Sequence, residues 1–296
     1  MGNIKLGMIG ISEGNGHPYS WSAIFNGYNR SLIKECPFPS IPNYLSKQKF
    51  PKDAIKEGQV THLWTQDKKI SQNIAQTTYI ENIVENYVDM IGKVDAILLA
   101  RDDFKLHYKI CKPFIEAGLP IYIDKPLANN IKEAKKIFAL EQYEGQIFTC
   151  SALHYAKEFS ISQAELEKIG PLQYVDACVM NSWGKYAVHI IEPVVKMIGS
   201  QGQQIEVTKS TAGQKNIVTV CWESGLQTTF TSLGNIDCPI KIRLFGEEGC
   251  KELVFKDTYY AFKKALQTFV DIIQKKEKPL NKHFVLKIIE IIEKGI

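Results

Sequence analysis

The sequence predicts an α/β fold in two parts: an N-terminal parallel-sheet domain, and a C-terminal α+β domain with a largely antiparallel, open sheet. Three observations predict it. In the first half of the chain, short apolar runs alternate with helical stretches, the pattern of parallel strands joined by crossover helices. In the second half, stretches of alternating polarity follow one another across short turns, which suits antiparallel strands with one face covered. The length, 296 residues, leaves room for both parts.

Taken in order, residues 4–11 (IKLGMIGI) are short, apolar and end near glycine, as a buried strand does. A loop over 12–18 leads to a helix from Tyr19 to about Tyr28, with Ser20 as its expected cap. Four prolines in 36–52 (Pro37, Pro39, Pro42 and Pro51) predict an irregular excursion. Residues 59–66 read as a second strand ending at Asp67, followed by helices at 68–76 and 80–91. VDAILLA (94–100) is a third buried strand. A helix over 104–117 stops at Gly118, and LPIYID (119–124) is a fourth strand closed by Lys125-Pro126. An amphipathic helix at 130–144 precedes a fifth strand at 146–152. Right-handed crossovers between such strands place a ligand at their carboxyl ends.

Beyond that point, helices are expected at 158–168 and 185–198, and strands at 172–180, 204–210, 216–223, 226–233, 240–246 and 251–256. Helices at 258–276 and 281–294 close the chain. The expected domains are 1–126 and 127–296. The strand at 146–152 is expected to pack on the first domain, and the C-terminal helix is a candidate to do so.

Composition narrows the class. Hydrophobic residues at 45% and charged residues at 23% are ordinary for a globular chain and exclude general disorder. No run approaches the roughly 20 apolar residues of a membrane helix. The net charge of +4 is small and spread along the chain, so neither nucleic acid nor a membrane is an expected partner. The seven cysteines are odd in number and none are spaced Cys-x-x-Cys. Reduced thiols in a cytoplasmic protein fit better than a disulfide framework or a zinc site, and no metal is expected. Residues 1–6 lack the basic start and long apolar core of a signal peptide.

Three constellations carry chemistry. Gly7, Gly10, Gly14 and Gly16 follow or end the first strand without spelling G-x-G-x-x-G. They can bring backbone N–H groups to a pyrophosphate at a helix start, or can be an ordinary strand–helix turn. Asp67 stands where a carboxylate can hold ribose hydroxyls and repel a 2′-phosphate, and equally where one caps a helix. It lies well beyond the usual interval after the loop, a difference the proline-rich excursion accounts for. The second constellation is IYIDKPL (121–127). A lysine at the end of a buried strand is costly to desolvate unless it faces a cleft, where it can polarise a hydroxyl or carbonyl or relay a proton. The alternative is a solvated lysine. Pro126, just beyond it, is a candidate for a cis bond. The third is NSWGKYAVHIIEPVVKMIG (181–199), in which Lys185 and His189 share a helical face and Glu192 lies three residues further on. A neutral imidazole is the usual base near pH 7, and a neighbouring ammonium favours the neutral form. The bland alternative is a structural helix histidine. His-x-x-Glu alone is a poor metal signal. No serine-hydrolase elbow or P-loop motif is present in the sequence.

With these regions in order, the sequence resembles the glucose–fructose oxidoreductase / inositol dehydrogenase (Gfo/Idh/MocA) family along nearly its whole length. The most specific stretch is 94–128: an Asp-Ala strand, a helix containing His107, an Ala-Gly turn, a strand, and Asp124-Lys125-Pro126 where the family has Glu-Lys-Pro. The second anchor is 184–199, where His189 matches the family histidine and Lys185 occupies the position of an Asp. Lys278-Pro279 before the last helix also fits, whereas SALHY (151–155) lacks the Arg often found there.

The resemblance implies a Rossmann-type domain that binds NAD, with NADP as the alternative. It also implies a C-terminal sheet that forms homo-oligomers, and hydride transfer at a carbon of a sugar, polyol or nucleotide-linked sugar. Lys125 carries over as the lysine near the reacting oxygen, His189 as the acid/base, and Asp124 as a neighbour of the nicotinamide ribose. The candidate cofactor contacts are then Gly10, Ser12, Gly14, Asn15, Gly16, Asp67, Arg101, Asp102 and Asp124. The candidate substrate contacts are Trp183, Lys185, Tyr186 and His154. The segment 13–21 marks a subgroup for which surface-polysaccharide sugar metabolism is the expectation. If Lys185 joins Lys125 and His189 at the substrate, the excess of basic groups favours an anionic sugar. Two other functions compete: a non-catalytic binding or regulatory protein, and a redox-neutral, NAD-dependent glycoside-processing enzyme.

Overall fold

The structure, a computed structural model, describes residues 3–296. Residues 1 and 2, which open the first expected domain and the stretch 1–6 expected to lack a signal peptide, lie outside the described residues. Two compact units make up the chain. The first combines residues up to 128 with 135–149 and 263–281; the second combines 129–134, 150–262 and 282–296.

The first unit is built on six parallel strands: β1 (Ile4–Ile9), β2 (Gly58–Trp64), β3 (Asn82–Ile83), β4 (Ala96–Leu99), β5 (Ile121–Ile123) and β6 (Ile147–Phe148). Their order is β3-β2-β1-β4-β5-β6. The strand order reverses between β1 and β4, so the loops leaving these two strands flank the crevice where such sheets bind ligands. Leu6, Met8 and Ile9 on β1 and Ile97, Leu98 and Leu99 on β4 are wholly buried, because a parallel sheet is covered on both faces. Each contributes roughly 1.5–3 kcal/mol of burial. The helices of this half are α1 (His17–Asn26), α2 (Ser40–Leu45), α3 (Lys68–Thr78), α4 (His107–Glu116) and α5 (Ile131–Phe138).

The second unit begins with α6 (Gln163–Ile169), β7 (Leu172–Val179), α7 (Trp183–Tyr186) and α8 (Val188–Ile198). Five strands follow: β8 (Gln204–Ala212), β9 (Lys215–Trp222), β10 (Gln227–Ser232), β11 (Lys241–Gly246) and β12 (Cys250–Val254). The sheet order is β12-β11-β7-β10-β9-β8, antiparallel except where β7 and β10 run parallel. One face is buried through Val175, Ala177, Val218, Val220, Phe230, Ile242 and Leu244, and α8 packs near it with Ile190, Ile191, Val194 and Val195. On the other face Asp176, Thr219, Thr229 and Arg243 stay half-buried or exposed. The chain ends with α9 (Thr258–Ile273) and α10 (Lys282–Lys294). The helix that rejoins the first unit is α9, from Lys263 onward, rather than the final helix. Among the described residues no helix is long and apolar enough to cross a membrane.

Five local expectations are corrected. The helix expected at 80–91 is the edge strand β3 and a 3₁₀ turn at Tyr87–Met90. Ile83-Val84 is β-branched, Asn82 and Ile83 pair with β2, and Asn86 and Asp89 close a capping box around the turn. Ser20 is no cap: α1 starts at His17, with Gly16 as N-cap and Pro18 in its first turn, and Ser20 is buried inside it. The proline-rich excursion contains α2, because Pro39 and Pro42 fall at its start, where a missing N–H costs little. The helix expected at 130–144 ends at Phe138. The one expected at 158–168 is a 3₁₀ turn, Lys157–Phe159, and then α6, which Ser162 starts afresh as N-cap.

Candidate functional site

In the first unit the loops after β1, β4 and β5 converge on a buried polar cluster. Gly10 follows β1 and packs against the first turn of α1: a Cβ there would stand 2.2 Å from the Pro18 ring, so only glycine allows this approach. Gly14 sits at the loop tip with φ +75°, a left-handed conformation that glycine adopts without strain. Ser12 donates its hydroxyl to Asp102 Oδ1 at 2.7 Å and accepts the Asp102 N–H at 3.2 Å. Asn15 Nδ2 donates to Asp124 Oδ2 at 2.8 Å, and His17 Nδ1 lies 2.6 Å from the same oxygen. The other Asp124 oxygen accepts the Lys125 N–H at 2.8 Å. Asp124 is only 1% exposed. Burial by itself raises its pKa, but the charge and hydrogen bond of His17, with Lys125 and Asn15, outweigh burial and hold the carboxyl below the usual range.

Lys125 follows on a cis Lys125–Pro126 bond, with its Nζ 3.7 Å from Asp102 Oδ2; both side chains are buried. The buried position is therefore the observed one of the two read from the sequence, and Asp102 supplies the counter-charge. Arg101 forks onto Asp103 at 2.9 and 2.6 Å and reaches Gln66 Oε1 at 2.9 Å. Gln66, at the end of β2, in turn holds the Ile11 backbone at 3.2 and 2.9 Å. His107 ties the loops after β4 and β5 through the Arg101 and Leu127 carbonyls, at 2.7 and 3.0 Å.

Asp67 caps α3: its Oδ1 accepts the Lys69 and Ile70 N–H groups at 2.7 and 3.2 Å. The residue is exposed, and Oδ2 has no hydrogen bond to the described residues. The N–H groups of Gly14 and Gly16 likewise donate to no acceptor among the described residues. These are the donors and the acceptor that a dinucleotide needs, pyrophosphate at the start of a helix and ribose at an acid, so the residues present fit NAD.

In the second unit a polar stripe on α8 grips the turn at Ala152–Tyr155. His189 Nδ1 lies 2.7 Å from the Ser151 hydroxyl. Glu192 Oε2 accepts the Ser151 N–H at 2.7 Å, and its Oε1 stands 3.0 Å from His154 Nδ1, off the line a hydrogen bond requires. Lys196 Nζ donates to the His154 carbonyl at 2.7 Å, and burial pulls its pKa down. His189, Glu192 and Lys196 recur at helical spacing and so share a face. The stretch 185–198 is two helices broken at Ala187, with Lys185 half-buried on α7. The Tyr186 ring meets that of His189 edge-on at 5.5 Å. Trp183 is buried, and its indole N–H donates to the Ile292 carbonyl near the end of α10, at 2.8 Å.

The structure thus joins Ser12, Asn15, Asp102, Asp124 and Lys125 in one unit, and His154 and His189 through Ser151 and Glu192 in the other. Asp67 stands apart, on α3, and Trp183 is engaged with α10. Sequence reading missed His17, Gln66 and Ser151. Gln66 and Ser151 lie just past the carboxyl ends of β2 and β6, which was the one available signal for them, and His17 opens α1 at the far end of the glycine loop. No group of three or more His, Cys, Asp or Glu among the described residues could hold a metal.

A parallel sheet in this order, with a glycine loop at its first crossover, defines the class: a dinucleotide-binding protein of the Rossmann type. Residues 5–151 match the model of one family of this class, the oxidoreductase family with NAD-binding Rossmann fold (Gfo/Idh/MocA), and the chain belongs to it. Similar solved structures include an oxidoreductase from Thermotoga maritima, at 14% identity and TM-score 0.73, covering 99% of this chain and 95% of that one. Another is myo-inositol 2-dehydrogenase from Lactobacillus plantarum, at 13% identity and TM-score 0.73, covering 98% and 95%. A third is biliverdin reductase from Synechocystis in complex with biliverdin and NADP+, at 13% identity and TM-score 0.69, covering 98% and 97%. No curated protein matches the chain by sequence.

Proposed function

We propose that the protein is a cytoplasmic, homo-oligomeric NAD-dependent dehydrogenase or reductase of a sugar, polyol or nucleotide-linked sugar. The observation that carries the reading is Lys125: an ammonium buried at the carboxyl end of β5, held by Asp102, in the loop cluster that fits the cofactor. NAD supplies the hydride acceptor or donor. Gly14 and Gly16 bind its pyrophosphate, and Asp67 binds the adenosine ribose. Asp124 fixes the glycine loop by anchoring Asn15 and His17. Lys125 and His189 serve the reacting oxygen, Lys125 by stabilising negative charge there.

NADH binds more tightly than NADPH, because Asp67 repels a 2′-phosphate and one adjacent cation, Lys68, is paired with Glu85 at 3.1 Å. Titration by nicotinamide fluorescence checks this; a lower dissociation constant for NADPH would remove Asp67 from the ribose site. In a screen of polyols and nucleotide-linked sugars with NAD(H), Lys125→Ala and His189→Ala lower turnover by roughly 10²–10⁴-fold, with little loss of cofactor affinity. Near-parental turnover in either variant takes that side chain out of the reaction.

A further inference from the structure

The geometry points to Ser151 as the residue that fixes the tautomer of His189: its hydroxyl donates to Nδ1, so the neutral imidazole keeps its proton on Nε2. This inference rests on the reading of His189 as a residue that serves the reacting oxygen. It deepens that reading by naming what His189 offers there, a hydrogen-bond donor.

Ser151 is fully buried, with no exposed surface. Its hydroxyl carries one hydrogen and two acceptor sites. The Leu153 N–H fills one acceptor site at 3.2 Å, in the cap that starts the turn Ala152–Tyr155. The hydroxyl hydrogen needs an acceptor of its own, and among the described residues only His189 Nδ1 stands within reach, at 2.7 Å. The neighbouring carboxylate bonds a different group: Glu192 Oε2 takes the Ser151 backbone N–H at 2.7 Å, and neither of its oxygens is hydrogen-bonded to the hydroxyl. Were Nδ1 the protonated nitrogen, it would donate to the hydroxyl, whose own hydrogen would then be buried without an acceptor. That arrangement costs about 1–3 kcal/mol, enough to set which tautomer is populated.

A carboxylate beside a histidine works the other way: it accepts from Nδ1–H and leaves Nε2 bare, ready to take a proton. The serine gives the opposite polarity. Neutral His189 meets whatever lies at Nε2 as a donor, which suits a carbonyl or alkoxide oxygen on which negative charge develops. Removal of a hydroxyl proton then falls to another group. Glu192 supports the arrangement from behind, since its hydrogen bond to the Ser151 N–H sets the position of that residue against α8.

Nitrogen-15 NMR of histidine-labelled full-length protein reads the tautomer directly and needs no substrate. With six histidines, the signal lost in His189→Gln assigns the resonance. At neutral pH the parent is expected to show His189 protonated at Nε2 and bare at Nδ1. Ser151→Thr, which keeps the hydroxyl, should preserve that pattern, and Ser151→Ala should shift it toward a mixture or toward Nδ1–H. A parent protonated at Nδ1 overturns the inference, as does a Ser151→Ala spectrum that keeps the parental tautomer. If Ser151→Ala fails to fold, the parent and the threonine variant still decide it. A protein that shows the Nε2–H tautomer but turns over no sugar with NAD(H) overturns the functional reading and leaves the tautomer assignment standing.

Discussion

Lys185 places a positive charge at a position where the family resemblance implies an aspartate. It is half-buried on α7, one short turn before α8 delivers His189. A lysine ammonium cannot accept a hydrogen bond from an imidazole as a carboxylate does, and the Nδ1 of His189 is partnered by the Ser151 hydroxyl instead. An ammonium there is better suited to an anionic substrate, such as a uronate or a nucleotide-linked sugar, by direct charge pairing. Lys185→Ala and Lys185→Met should raise the Michaelis constant for charged sugars selectively, and more steeply at low salt, where screening is weak. Equal effects on charged and neutral sugars would reject an anion-binding role. Lys125, Lys185 and His189 could be picked out of the sequence because each sits at the end of a readable element. His17 and Ser151 could not. His17 meets Asp124 across 107 positions and Ser151 meets His189 across 38, and neither separation leaves a periodic mark on the chain.

Among the elements, strands were more legible than helices. The six stretches expected as strands in the second half all appear; one covered face imposes alternation on β7, β9, β10 and β11, while β8 has no buried residue. In the first half β1 and β4 were legible as short apolar runs, whereas the edge strand β3 fell in a stretch expected as a helix. Helix boundaries failed where a local polar group redirects the chain, as Asn86 does before its 3₁₀ turn and Ser162 does before α6. The α6 start shows how much such a group holds. Ser162 Oγ accepts the Glu165 N–H at 3.3 Å, and Glu165 Oε2 accepts the Ser162 N–H at 3.0 Å. Lys251, on β12, binds the same carboxylate. The hydrogen bond from Lys251, then those from Ser162, bring the Glu165 pKa down to about 2. A lowered folded-state pKa means that the stabilisation is present above the unfolded value of about 4.3 and fades as pH falls toward 2. Ser162→Ala is therefore expected to cost about 1 kcal/mol in urea unfolding at neutral pH. The gap between the parent and Glu165→Gln should narrow as pH is lowered from 6 to 3; a gap that stays constant would show that the ionised carboxylate is not its source.

At the scale of the whole molecule, the N-terminal unit is not made by N-terminal sequence alone. Residues 263–281 belong to it, and they bring Phe269, which is fully buried. Phe269 stacks on Phe148 of β6, with ring centres 5.8 Å apart, and tilts against Tyr122 of β5 at 5.7 Å. The line of rings continues from Tyr122 to Trp21 at 4.7 Å, and from Trp21 to His17 at 4.9 Å. The last of these is the residue that anchors the glycine loop to Asp124. One aromatic chain therefore runs from α9 to the start of α1 beside the glycine loop, and it is completed only when residues 263–281 have folded back. Sequence similarity covers residues 5–151 and gives no sign of this dependence, since a helix that packs across more than a hundred residues looks like any other amphipathic helix. Phe269→Ala should cost about 3–5 kcal/mol, as the loss of a large buried ring does, and should weaken NADH binding because the loop's support is loosened. A fragment ending at residue 150 should fare worse, with Tyr122 and Phe148 uncovered at the sheet edge. Near-ultraviolet circular dichroism and NADH titration decide it: a fragment with the tertiary signal of the intact chain and parental NADH affinity would show that the first unit folds without α9.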